Sequence, residues 1–207
     1  MTKVKVCGIT NYKDAVNAAD LGADYLGFNF YKRSPRHIGK SKAKNIIEKL
    51  PKNAKKVGIF VNESIGSVKS IVEFCRLDLV QLSGDENQEY ISKLKNISNK
   101  KIIKSFRIKN SSSVKNIKNY ETDYVMLDSF KKGFFGGTGI ELNLEFIGKL
   151  DNGNLFLAGG LNTINVKSAV KKIKPYAVDV CSSIEAHPGR KDFEKMKEFI
   201  HQVKLQK

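Results

Sequence analysis

Eight short, nearly continuous apolar runs recur along this chain, each followed by residues at helical spacing. They are KVKVCG from Lys3, DYLGFNF from Asp24, KKVGIFVN from Lys55, DLVQLSG from Asp78, KKIIKSFR from Lys100, DYVMLDS from Asp123, NLFLAGG from Asn154 and AVDVCSS from Ala177. Between them, sets such as Ile65, Val68, Ile71, Val72 and Val166, Ala169, Val170, Ile173 fall on one face of a helix. A strand that is apolar on both faces has to be covered on both, which a parallel sheet wrapped by helices achieves. Eight such units predict an α/β chain folded as one (β/α)8 TIM barrel, a single catalytic domain over residues 1–207. The length is near the lower limit for that architecture, so helices and most loops are expected to be short.

An internal echo accompanies the count. Asp24, Asp78, Asp123 and Asp179 each read as opening a strand, and three of the interleaved strands open on lysine. The pattern suggests two alternating rows of four strands, the arrangement that fills a barrel interior in layers. On this reading Asp179 is structural, like the other three.

Composition enters as a set of exclusions. Hydrophobic residues make up 41% of the chain, enough for a globular core. No apolar run approaches the ~18 residues of a membrane span, so no membrane association is expected. Met1-Thr2-Lys3-Val4 enters a strand at once, leaving no room for a signal peptide. Cys7, Cys75 and Cys181 are odd in number and lack metal-type spacing, which speaks against a disulfide framework or a metal site and for a cytoplasmic protein. The formal charge of +16 is spread as lysines among asparagines, as in KLKNISNKK and KNIKNYE. Without an arginine-rich block or nucleic-acid motif it reads as a solvated surface whose field draws in a small anionic substrate.

In such a barrel the chemistry lies where strands end and helices begin. Cys7 stands there, after the first strand and before Gly8, with Thr10 or Asn11 placed to cap the next helix. A thiol at that edge can act as nucleophile or base once neighbours lower its pKa; the alternative is a small buried core residue. Cys75, within IVEFCRL, reads as packing, and Cys181 as a strand-end residue among small neighbours with no evident base. Asp128 closes YVMLD and is a general acid or base whose pKa burial would raise, or else a turn residue.

Two long connections follow strands and should share the face of Cys7: residues 31–40, with Ser34-Pro35-Arg36-His37, and residues 129–141, rich in glycine. Arg36 can clamp a carboxylate or lie exposed, and His37 reads as solvated. Gly159-Gly160 in LAGGLN and Ser182-Ser183 after Cys181 form the seventh and eighth strand–helix turns, the usual place for a phosphate.

Taken together, VKVCGIT, GFNFYKRSPR, VGIFVN, VQLSGDE, VMLDS with GGTG, LAGGLN and VDVCSSIEAHPGRKD resemble the phosphoribosylanthranilate isomerases, over about Lys3 to Asp192 and in family order. The resemblance implies a cofactor- and metal-independent (β/α)8 barrel of tryptophan biosynthesis, monomeric or homodimeric. Its reaction is an Amadori rearrangement of a small phosphorylated aminoaldose to an aminoketose. By the same resemblance Cys7 is the general base, Asp128 the general acid, and Arg36 the holder of the anthranilate carboxylate. Gly159, Gly160, Ser182 and Ser183 bind phosphate, and Asp179 contacts the sugar, against its structural reading above. Two motifs depart from the family pattern. Ser83 stands where histidine is usual, and Cys181 and Ser183 stand for a serine and a glycine, so the Ser183 side chain is expected to crowd the phosphate if the turn needs glycine's freedom. The related histidine-pathway isomerase carries an aspartate in place of Cys7. Indoleglycerol-phosphate synthase would need a lysine and glutamate set that Lys104 alone does not supply. A basic nucleic-acid module would not depend on Cys7 at all.

Overall fold

The computed structural model describes residues 1–129, 144–147 and 152–206. Eight strands pair in chain order and close into a barrel: β1 (Lys3–Val6), β2 (Tyr25–Asn29), β3 (Lys55–Phe60), β4 (Leu79–Leu82), β5 (Lys101–Ile108), β6 (Tyr124–Ser129), β7 (Leu155–Leu157) and β8 (Ala177–Val180). Every pairing is parallel, and β8 returns to β1 with Val6 opposite Val180. Each strand lies inside one of the eight apolar runs, except that β5 runs one residue past its own, to Ile108. The helices α1 (Tyr12–Asp20), α2 (Lys40–Ile47), α3 (Ile65–Cys75), α4 (Gln88–Ile97), α5 (Ser111–Lys115), α6 (Val166–Ile173) and α7 (Phe193–Lys204) form the outer layer. None of them is long and apolar enough to cross a membrane.

Strand alternation divides the core in two. Val4, Val6, Leu26, Phe28, Val80, Leu82, Val178 and Val180 turn outward into one large cluster with the helices. Tyr25, Val57, Leu79, Ile103, Met126, Phe156 and Ala177 fill the interior of the barrel. The near-continuous apolar runs follow from having both faces buried.

The aspartate echo is real in three of its four members. Asp24, Asp78 and Asp123 immediately precede β2, β4 and β6, and each carboxylate accepts the second backbone N–H of the preceding strand. These bonds go to Val4 at 2.8 Å, Lys56 at 2.8 Å and Ile102 at 2.9 Å. Three identical clasps thus lace neighbouring strands at the N-terminal end. Asp179 does not belong with them. It is the third residue of β8, opposite Lys5 of β1, and its carboxylate binds the Lys5 ammonium. A shift of three residues along the strand moves it from the floor toward the mouth.

The chain also adds an element that hydrophobic periodicity does not announce. After β8 comes a 3-10 turn, Ser182–Ile184, and then a small antiparallel hairpin of β9 (Glu185–His187) and β10 (Arg190–Lys191). Most of the glycine-rich connection 129–141 falls outside the described residues.

Candidate active site

Cys7 follows β1, and its backbone N–H donates to the Val180 carbonyl at 2.9 Å. Gly8 then turns with φ +76°, in the left-handed region that glycine favours. A Cβ there would stand 2.7 Å from Arg36 Cδ and 3.0 Å from Cys181 Sγ, so the position must be bare for those side chains to converge. Asn11, of the two candidates, caps α1, accepting the Asp14 N–H at 2.9 Å. The Thr10 hydroxyl instead donates to the Gly189 carbonyl and ties the hairpin to the first strand–helix turn.

Lys5 lies one alternation below Cys7, fully buried in the barrel interior. Its ammonium is 2.6 Å from Asp179 Oδ1, and it lies close enough to the Cys7 sulfur to feel its charge. Burial alone would pull its pKa down, but Asp179 and the Cys7 sulfur outweigh that and hold it above the ordinary lysine value. A charged lysine pressed against a thiol favours the thiolate.

Cys181 is the residue that most changes the sequence-based picture. It follows β8 directly, and its thiol and that of Cys7 shift each other's proton affinity. Far from lacking a partner, it also has Lys191 Nζ 3.9 Å from its sulfur. The nearby Cys7 thiol pulls Cys181 down to about 7, with Lys191 and Arg36 adding to the effect against the cost of burial. The same pairing, with burial, pushes Cys7 well above the usual thiol value. The two sulfurs therefore act as one site that gives up its first proton near neutrality.

Asp128, the penultimate residue of β6, is not a turn aspartate. Burial and the nearby Asp179 carboxylate push its pKa up to about 6, partly opposed by the Ser129 N–H at 2.8 Å and by Lys5. Asp128 and Cys7 thus sense the same Lys5–Asp179 pair, although they lie on strands one and six.

Arg36 is not exposed, as one reading of its loop had it. Ser34 organises that loop, accepting from Asn29 Nδ2 and from the Arg36 N–H, both at 3.1 Å. The guanidinium turns inward, and its Nε and Nη2 grip Glu185 at 2.7–3.0 Å. Glu185 also receives Lys191 Nζ at 3.0 Å. Burial works against its ionisation, but the two cations win and hold it below the ordinary carboxylate value. Glu185, Lys191 and Lys5 were absent from the sequence-based candidates. An inward-facing lysine two residues before Cys7, within an apolar strand, was the one available signal.

The turns after β7 and β8 stand side by side. Gly159 and Gly160 have φ of +86° and +66°, both in the left-handed region that glycine favours. The expected crowding by Ser183 does not arise from backbone strain, because its φ is not positive. Its hydroxyl donates to the Leu161 carbonyl at 2.5 Å and clips one turn to the other. Ser83 is occupied by Gln81, whose Nε2 donates to it at 3.0 Å. Among the described residues, Gln81 Oε1 is the buried side-chain oxygen left without a partner. Lys104 faces away from the interior and is taken up by Glu86 at 2.7 Å and the Gly84 carbonyl at 2.8 Å. Cys75 is buried in the helix layer, its sulfur 3.4 Å from the Lys40 carbonyl, as a packing residue should be. Among the described residues, no three His, Cys, Asp or Glu side chains are grouped to hold a metal ion.

Comparison with known proteins adds an independent finding. Residues 4–202 match the family model described as N-(5'-phosphoribosyl)anthranilate (PRA) isomerase. A protein of that name from Trichlorobacter lovleyi is 44% identical over 206 residues, covering 99% of this chain and 98% of its own. The crystal structure of phosphoribosyl anthranilate isomerase from Thermotoga maritima superposes with a TM-score of 0.89 at 36% identity, covering 99% of both chains. A structure of such an isomerase in complex with reduced 1-(o-carboxyphenylamino)-1-deoxyribulose 5-phosphate is also 36% identical over 99% of both chains, with a TM-score of 0.86.

Proposed function

This chain belongs to the N-(5'-phosphoribosyl)anthranilate isomerase family, and from that premise we propose how its residues carry out the isomerisation in tryptophan biosynthesis. The observation that carries the reading is that a thiol just after β1 and a raised carboxyl on β6 are coupled to one Lys5–Asp179 pair. Acid and base must work on a single sugar, and this cluster offers one of each at a common site.

With a pKa of about 6, Asp128 keeps a protonated fraction near neutrality and can deliver that proton to the ribose ring oxygen. The C1′–oxygen bond then opens to a Schiff base with the anthranilate nitrogen. Cys7, drawing the thiolate of the coupled pair onto its own sulfur beside Lys5, takes the proton from C2′, and the resulting enolamine tautomerises to the aminoketose. Lys5 stabilises the thiolate, and we assign Asp179, its partner, to a sugar hydroxyl. Glu185 holds the Nε–Nη2 edge of Arg36 and so orients the guanidinium, which we assign to the anthranilate carboxylate. The phosphate is assigned to backbone N–H groups of Gly159, Gly160, Ser182 and Ser183. No cofactor or metal enters these steps, and residues 1–207 act as one catalytic domain.

The test is direct. Added N-(5'-phosphoribosyl)anthranilate is fluorescent, and its disappearance reports turnover. Wild-type protein should consume it, while Cys7→Ala and Asp128→Ala should each lose about 10²–10⁴-fold in kcat. Full activity in Cys7→Ala would remove the base assignment, and an inactive wild type would remove the function.

A further inference from the structure

Two thiols meet at the mouth of the barrel, and the isomerisation needs a thiolate on one of them. Cys7 and Cys181 each follow directly on a strand, and those strands run parallel with Val6 opposite Val180. Continuing the register sets the two cysteines side by side. Neighbouring strands lie about 5 Å apart, within the ~4.4–6.8 Å that disulfide-bonded Cα atoms span. The Cys7 N–H donates to the Val180 carbonyl at 2.9 Å, and each thiol lies close enough to the other to shift its proton affinity. Both residues are partly exposed and neither is cross-linked. Glycine backbone walls the sulfurs: a Cβ on Gly8 would lie 3.0 Å from Cys181 Sγ, and one on Gly27 3.0 Å from Cys7 Sγ.

We propose that Cys7 and Cys181 form an oxidative modification site, which a peroxide closes into a disulfide that silences the enzyme and a dithiol reopens. The silencing rests on the assignment of Cys7 as the base, whereas the cross-link does not. The Cys181 thiolate, favoured by Lys191 and Arg36, attacks one peroxide oxygen. The O–O bond breaks, one oxygen leaves as water after protonation, and the other remains as a sulfenic acid. The Cys7 sulfur then attacks the Cys181 sulfur and displaces that oxygen, which leaves as a second water. Two thiols lose two electrons and two protons, and one peroxide becomes two waters. The reaction consumes the sulfur lone pair that would take the C2′ proton. Cys75, sealed in the helix layer on the Lys40 carbonyl, takes no part.

The experiment treats the full-length protein with graded hydrogen peroxide and then with dithiothreitol. Free thiols, intact mass, non-reduced peptide maps and activity are followed together. Titratable thiols should fall from three to one, the peptides of Cys7 and Cys181 should join, and activity should drop at least tenfold and return with dithiothreitol. Cys75→Ser should behave as wild type. Cys181→Ser, normalised to its own reduced activity, should form no bridge and lose activity at least tenfold more slowly. Inactivation with Cys7 over-oxidised and no joined peptides would overturn the proposal and leave the base assignment standing. A joined pair with activity intact would overturn the switch and the base assignment together. Equal inactivation and recovery in Cys181→Ser would overturn the role of Cys181.

Discussion

The interior of this barrel is polar at both ends, and the two ends behave differently. At the floor, Tyr25, Tyr124 and Tyr176 surround Phe156 at ring separations of 5.3–5.6 Å. Their phenols meet: Tyr25 lies 2.8 Å and Tyr124 3.4 Å from the Tyr176 oxygen, and Lys3 donates to it at 3.0 Å. Every one of these groups is taken up by another, and the aromatic faces close the plug. At the mouth, Lys5, Asp179, Cys7, Cys181 and Asp128 also touch or sense one another, but the arrangement leaves protons poorly held. Asp128 is too basic for a carboxyl, Cys181 too acidic for a thiol, and Gln81 Oε1 has no partner among the described residues. Polarity inside a barrel is therefore not a sign of chemistry. Displaced proton affinities at the end of the strands are a better one.

The sharpest way to break this contrast is to neutralise Asp128. Asp128→Asn should lower kcat by about 10²–10⁴-fold, because an amide cannot supply the proton. It should also stabilise the fold. The Asp128 carboxyl has its folded pKa raised to about 6 from 3.8, so its protonated form is the one the fold prefers. Its penalty is absent below about pH 4, grows as pH rises toward 6, and is complete above that. The shift corresponds to about 3 kcal/mol at pH 7. Denaturant unfolding should show Asp128→Asn more stable at pH 7 and indistinguishable from wild type at pH 3.5. A loss of stability at pH 7 would show that Asp128 is a structural residue like those of the floor. In wild type, kcat/KM against pH should be a bell with limbs near 6 and 7, which belong to the coupled cluster and not to single residues.

Glu185 gives a smaller effect of another kind. Glu185→Gln leaves Arg36 and Lys191 facing a neutral amide, so the guanidinium should lose its fixed orientation. We expect KM to rise about tenfold with kcat changed less than threefold, since only ground-state and transition-state binding in common is lost. A fall in kcat with KM unchanged would place Glu185 in the chemical step.

The floor supplies the smallest effect. Tyr176→Phe removes a hydroxyl that joins Lys3, Tyr25 and Tyr124, and should cost about 1 kcal/mol in denaturant unfolding. Its kcat should stay within twofold of wild type. A large loss of activity there would dissolve the distinction between the two ends.

Much of this was legible in the residues. Near-continuous apolar runs demanded two covered faces, and eight of them with helices between left a closed parallel barrel as the economical solution. Cys7, Asp128 and the Gly159-Gly160 turn could be singled out because each sits where a strand ends, and local pattern reports strand ends well. What local pattern could not report was company. Asp179 resembles Asp24, Asp78 and Asp123 along the chain, yet three residues of register separate a backbone clasp from a partner for Lys5. Arg36 meets Glu185 across 149 positions, and Cys7 meets Cys181 because β8 closes onto β1. Those encounters exist because the sheet is cyclic, so its first and last strands are neighbours. No periodicity within either segment carries that information. Proton affinity follows from burial and neighbouring charge, and both are properties of the closed barrel, not of the residue.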